Sequence, residues 1–115
     1  MSDQLTHGIK YYPKENLQLS DDIPGARQWA VSLTNTMLTY FEVDPDCTFD
    51  SHSHESEQIT MVLEGVLYFE HGESIFVVNA GETIAISSNI PHAVFTREAA
   101  VKAVDAWSPI MEKYK

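Results

Sequence analysis

The sequence predicts an all-β fold, a sandwich or closed barrel, and three observations carry that expectation. Short runs rich in β-branched and aromatic residues recur along most of the chain. Turn-forming Gly, Pro, Asn and Asp separate them at the short spacing typical of antiparallel sheets. Only residues 109–114, at the end of the chain, offer a helical turn. Strands packed this closely along a sequence belong to sandwiches and barrels.

The elements follow in order. Residues 1–25 are polar and interrupted by Pro13, by Pro24 and by the turn at Ser20-Asp21-Asp22, so residues 1–28 are read as an N-terminal arm. From Trp29 the text becomes strand-like, and residues 29–115 are read as the barrel domain. The run 36–43 is β-branched and aromatic and stops at Asp44-Pro45-Asp46. Strands are then expected at 58–64, 66–70, 74–79, 83–87, 93–96 and 101–107. They are separated by Gly65, His71-Gly72, Ala80-Gly81 and Ser88-Asn89-Ile90-Pro91. Closing the sheet removes exposed strand edges and leaves an interior able to hold a ligand. Ile59, Met61 and Leu63 lie opposite Val62 by alternation, so the strand at 58–64 is apolar on both faces. Two-faced apolarity predicts a second covered surface and a homodimer built on sheet packing, with Ile9-Lys10-Tyr11-Tyr12 as the segment crossing to the partner.

Size and charge exclude whole classes of function. At 115 residues the chain is one domain with room for a core. Apolar residues make up 43%, with five Gly and five Pro, which argues against collagen-like, low-complexity or disordered chains. The longest apolar runs, 66–69 and 75–78, are four residues each, against about twenty for a membrane-spanning helix. Met1-Ser2-Asp3-Gln4-Leu5-Thr6-His7 lacks the basic start and apolar stretch of a secretory signal. The single cysteine, Cys47, fits a reducing compartment, so a soluble, cytoplasmic protein is expected. Seventeen acidic against seven basic residues give a net charge of −10, and Arg27 and Arg97 stand apart. Nucleic acids and anionic membranes are therefore not expected partners.

Chemistry concentrates at His52-Ser53-His54. In extended chain, residues i and i+2 face the same side, so both imidazoles aim one way. Gln58 follows four residues after His54, and His92 opens a later strand just beyond Pro91. Three imidazoles and one amide oxygen would make a four-ligand metal site with open coordination positions. The competing reading is a solvated loop, since His-x-His alone is a weak signal. His7 and His71 have no such context and read as surface histidines. Alternation along Asp105-Ala106-Trp107 puts Asp105 and Trp107 on one face. A carboxylate and an aromatic wall there could move protons and hold a sugar or ring, or simply cap a turn and fill the barrel mouth. Tyr40 and Phe95 read as core or pocket lining rather than as catalytic residues, and are assigned to substrate binding.

The stretch His52-x-His54-x-x-x-Gln58, with Gly65 further on, resembles the first cupin motif, and Gly81 through Pro91-His92 resembles the second. The resemblance covers about residues 30–108. It implies a double-stranded β-helix (jelly-roll, RmlC-like) barrel with one divalent transition metal, Zn, Ni, Mn or Fe, held by His52, His54, Gln58 and His92. Gly65 and Gly81 would be turn glycines. Gln58 replaces the consensus Glu, Asp46 the opening Gly of the first motif, Ser87 and Asn89 the Pro and Gly of the second, and Thr96 its final Asn. Three neutral imidazoles and a neutral amide leave the full double charge of a metal uncompensated, which favours anionic ligands.

Asp105-x-Trp107-Ser108-Pro109 is similar to the tail of pectin-degradation cupins that convert unsaturated uronates to linear keto sugars. Their tail continues to an Arg, where this chain has Met111, and Met cannot clamp a carboxylate. The resemblance implies a metal-dependent enzyme acting on a small anionic or sugar-like metabolite, with Asp105 as the proton-transfer group. The alternatives are a non-catalytic sugar- or metabolite-binding cupin and an iron-dependent dioxygenase, for which Gln58 lacks the usual carboxylate.

Overall fold

Alternation and turn chemistry organise the chain into two antiparallel sheets in a computed structural model that describes residues 8–115. His7 lies outside the described residues. The strands are β1 (Ser20–Ile23), β2 (Ala26–Ser32), β3 (Met37–Val43), β4 (Thr48–His52), β5 (Glu57–Glu64), β6 (Val66–His71), β7 (Ser74–Asn79), β8 (Thr83–Ile86), β9 (His92–Phe95) and β10 (Val101–Ser108). One sheet has the order β1-β2-β3-β10-β5-β8 and the other β4-β9-β6-β7. The described fold is the expected all-β, two-layered jelly-roll architecture, closed by a 3₁₀ turn at Glu112–Tyr114. No helix among the described residues is long and apolar enough to cross a membrane.

β1 and β2 pair with each other, and β2 pairs with β3 from Ala26↔Val43 to Ser32↔Met37. The β1 pairing with the larger sheet thus lies at Ser20–Ile23, inside the segment read as an arm. β4 also forms, from a polar stretch with little periodicity, because β9 supplies its ladder.

Turns need the residues the sequence puts there. Gly65, between β5 and β6, has φ +83°, and a Cβ at this position would run into the carbonyl oxygen of Ala100. Asp46 and Asn89 take the left-handed conformation at φ 52° and 62°, which their short polar side chains tolerate. Thr96 holds the first of these turns. Its hydroxyl donates to the Asp44 carbonyl (2.6 Å) and accepts from the Cys47 amide (3.0 Å).

The interior changes character along β10, whose buried residues are Val101, Ala103, Asp105 and Trp107. Val101 lies opposite Val43, and Ala103 opposite Phe41 and Val62. This apolar end, with Leu67 and Phe69 from the other sheet, is the core. Removing a side chain as fully buried as Phe69 costs about 3–5 kcal/mol in comparable cores. One step further along, Asp105 lies between Thr39 and Thr60, and Trp107 between Met37 and Gln58. The same barrel is oily at one end and polar at the other.

The outer face of the larger sheet is apolar as well. Register places Val31, Leu38, Ala106, Ile59 and Ala85 in one row across the strands, and Trp29, Tyr40, Val104, Met61 and Thr83 in the next. Ile59 is 54% exposed, and Leu38, Met61 and Leu63 are exposed too.

Candidate metal centre

His52 ends β4, His92 begins β9 directly opposite it, and His54 sits in the loop just beyond β4. The loops are tied together by the Asn89 amide, which donates to the His54 carbonyl at 2.7 Å. Imidazole centroids lie 4.5 Å apart for His52–His92, 5.1 Å for His54–His92 and 5.5 Å for His52–His54. One nitrogen from each ring falls within 4.8 Å of the others.

The tautomers follow from backbone contacts. Nδ1 of His52 donates to the Asp50 carbonyl at 2.9 Å, Nδ1 of His54 to Ser56 at 2.8 Å and Nδ1 of His92 to Ile90 at 2.8 Å. A carbonyl only accepts, so Nδ1 carries the hydrogen and the neutral ring keeps its lone pair on Nε2. Burial, together with the neighbouring histidines, lowers the His92 pKa and favours this neutral form, against a smaller opposing effect of the Ile90 carbonyl.

Nε2 of His54, Nε2 of His92 and Oε1 of Gln58 are buried and have no hydrogen-bond partner. Buried polar atoms without partners are rare in folded proteins. Here all three are lone-pair donors of the type that binds divalent transition metals, so the residues fit a metal ion. Carbonyl-anchored imidazoles are the usual outer support of such a ligand set.

A cavity of about 540 Å³ opens beside the histidines, within the range of small-molecule sites. His52, His92, Gln58, Asp105 and Trp107 all line it. The Trp107 ring also meets His54 edge-on. Asp105 is buried, and its carboxylate accepts hydroxyl hydrogen bonds from Thr39 (3.2 Å) and Thr60. Burial pushes its pKa up to about 6, with the threonine and Gln58 hydrogen bonds opposing.

Two expected lining residues are elsewhere. Tyr40 lies one position out of phase with the inward Thr39 and Phe41, so it stacks on Trp29 at 5.5 Å and donates to Glu42 at 2.8 Å. Phe95 is likewise out of phase with His92 and Val94, which line the cavity, and stacks on Tyr68 at 5.0 Å. Neither residue lines the cavity. His71 is exposed, as expected, with Nδ1 donating to the Pro91 carbonyl.

Other residues enter the wall without having been singled out by sequence. Lys113 and Tyr114, on the final 3₁₀ turn, both line the cavity, whereas Met111 does not. The Tyr114 ring packs against Phe41 (5.1 Å) and Trp107 (5.4 Å), and its carbonyl accepts from Gln28. Burial, then the charge of Asp105, pushes the Tyr114 phenol up to about 12, so it remains a hydrogen-bond donor at neutral pH. Among the described residues, Lys113 is the only lysine or arginine in the wall. Its proximity to the tail's Asp-x-Trp-Ser-Pro signature was the available hint.

Residues 39–107 match the Cupin domain family. A search of curated protein sequences finds no match. Among solved structures, the chain is similar to KdgF from Halomonas sp., with 18% identity and a TM-score of 0.82 over 92% of this chain and 100% of that one. It is similar to an RmlC-like cupin from Shewanella frigidimarina, with 19% identity and a TM-score of 0.83 over 91% and 95% of the two chains. The polyketide cyclase RemF from Streptomyces resistomycificus, 23% identical, superposes with a TM-score of 0.73 over 88% of this chain and 79% of its own. At these identities the structural likenesses speak for the fold.

Proposed function

The chain belongs to the cupin family, and from that premise we propose that it is a metal-dependent enzyme acting on a small anionic or sugar-like metabolite by acid–base chemistry. The observation that carries this reading is the cluster of three carbonyl-anchored imidazoles, with the unpartnered Gln58 oxygen, at a cavity that also contains a carboxylate and a lysine. His52, His54, Gln58 and His92 would hold one divalent transition metal, which supplies Lewis acidity toward a substrate oxygen.

The chain's own groups do the rest. Lys113 attracts the anionic end of a substrate, a role for which the uronate-type tail has Arg and this chain has Met111. Trp107 and Phe41 provide apolar walls that exclude water from one side of the cavity. Asp105, with a pKa near 6, exchanges a proton close to neutrality, and Tyr114 donates a hydrogen bond. The unpaired Cys47 fits a reducing, cytoplasmic setting.

A second reading is a non-catalytic metabolite binder. The observation favouring it is that hydroxyls already occupy both Asp105 oxygens.

The test combines metal analysis of untagged protein with turnover of an unsaturated uronate, followed by loss of its enol-ether absorbance. Near-stoichiometric metal, lost in His52→Ala and His92→Ala, supports the site. Wild-type protein that stays metal-free after reconstitution with each candidate metal overturns it. Turnover that appears or rises in Met111→Arg points to a uronate-type substrate. Metal bound with no turnover in either protein removes that substrate class.

A further inference from the structure

Gln58 is an amide, and only one of its two ends can ligate. Its Nε2 donates to the Thr60 hydroxyl oxygen at 2.9 Å, two residues along the same face of β5. Thr60 has one hydroxyl hydrogen, and that hydrogen goes to Oδ1 of Asp105, its direct cross-strand partner. The Thr60 oxygen can therefore only accept from Gln58. The group of Gln58 that faces it must be the NH2, which also serves as a hydrogen-bond donor toward Asp105, and the carbonyl oxygen must face the other way. A flipped amide would set two oxygen lone-pair sets against each other in a place where Gln58, Thr60 and Asp105 are each at most 6% exposed.

The other side of Asp105 repeats the arrangement. Thr39 gives its hydroxyl hydrogen to Oδ2 (3.2 Å) and accepts from the Trp107 indole Nε1 at 2.9 Å. Asp105 thus polarises two threonines, and each one orients a side chain of the cavity wall.

We propose that Thr60 is a positioning residue: by passing on the acceptor demand of Asp105, it locks the Gln58 amide with Oε1 presented to the imidazole cluster as the fourth ligand atom. The proposal rests on the metal-binding reading above. It explains why Oε1 is buried without a partner while Nε2 of the same amide is satisfied.

The test is calorimetric Co(II) titration of the metal-stripped full chain, with the Co(II) d–d absorption spectrum as a second readout of the ligand set. Thr60→Val should weaken Co(II) binding by about 10–100-fold, the range for supporting residues of metal ligands, and alter the spectrum. Thr60→Ser, which restores the hydroxyl, should return both to wild-type behaviour. A carboxylate has two equivalent oxygens and no orientation to lose, so in a Gln58→Glu background Thr60→Val should cost far less. If Thr60→Val does not fold by circular dichroism, Thr60→Ala is read in the same way. Wild-type affinity and spectrum in the folded Thr60 variant, or an equal loss with Glu at position 58, overturn the proposal. Absence of Co(II) binding by the wild type is a different failure: it overturns the metal reading and this inference with it.

Discussion

The indole of Trp107 meets the His54 imidazole edge to face, with centroids 5.3 Å apart and planes inclined by 71°. The only other tryptophan, Trp29, is stacked on Tyr40 and does not line the cavity. One indole is therefore in contact with the proposed metal ligands and the other is not. Binding of a paramagnetic ion such as Co(II) or Ni(II) should quench a large part of the tryptophan fluorescence. Trp107→Phe should abolish the response and Trp29→Phe should preserve it. Quenching that survives in Trp107→Phe would place the ion elsewhere.

Lys113 is the only lysine or arginine among the described residues lining the cavity and is exposed, so its attraction for a bound anion is that of a solvent-screened charge pair. Lys113→Ala should raise KM for an anionic substrate by about two- to fivefold, leave kcat nearly unchanged, and lose its effect at high salt. Kinetics at two ionic strengths check this. A neutral substrate analogue should not distinguish the two proteins.

Asp105 makes stability depend on pH with a sign opposite to that of a salt-bridged carboxylate. Its pKa rises from an ordinary 3.8 to about 6 on folding. Between these values the folded state holds a proton that the unfolded state has released, so stability falls as pH rises through that window. The shift corresponds to about 3 kcal/mol, fully expressed above pH 6. In metal-free protein, Asp105→Asn should gain on the wild type as pH rises from about 4 to 6, and the gap should then level off. Urea unfolding at a series of pH values measures it. A gap that stays flat across the window would falsify the raised pKa. With metal bound, the same variant should keep its fold and metal but lose roughly 10²–10⁴-fold in turnover if Asp105 carries a proton in the reaction.

The two apolar rows on the outer face of the larger sheet should meet a second copy of the chain. Leu38, Ala106, Ile59 and Ala85 form a continuous strip, backed by Tyr40, Val104 and Met61. Light scattering at micromolar concentration should give twice the 13.0 kDa of the chain. Ile59→Lys, at the centre of the strip, should reduce the particle to a monomer without unfolding it. A 13.0 kDa wild-type particle would contradict the assignment.

The elements that could be read in the sequence are those whose signal is local. β5 through β10 carry alternation or β-branched runs bounded by turn residues, and each lies within two residues of its expected place. β1 contains Asp21 and Asp22 and reads as a turn, because its strand character comes from β2 alongside it. The histidines stood out through their spacing. Thr39 and Thr60 did not, because threonine is an ordinary strand residue, and only cross-strand register reveals that both flank Asp105. Tyr40 and Phe95 were misplaced by a single step of alternation, which in a strand is the difference between inside and outside.

Each imidazole of the centre is oriented by a carbonyl two residues away in its own segment: Asp50 for His52, Ser56 for His54 and Ile90 for His92. None of these three anchors depends on a neighbouring side chain. Wall residues such as Lys113, Trp107 and Phe41 could thus be exchanged one at a time while the imidazole tripod stayed in place. Such a scaffold divides the site into two parts, an imidazole tripod oriented by the main chain and a surrounding wall, Gln58 included, set by side chains. What the cavity recognises can therefore change without moving the three imidazoles.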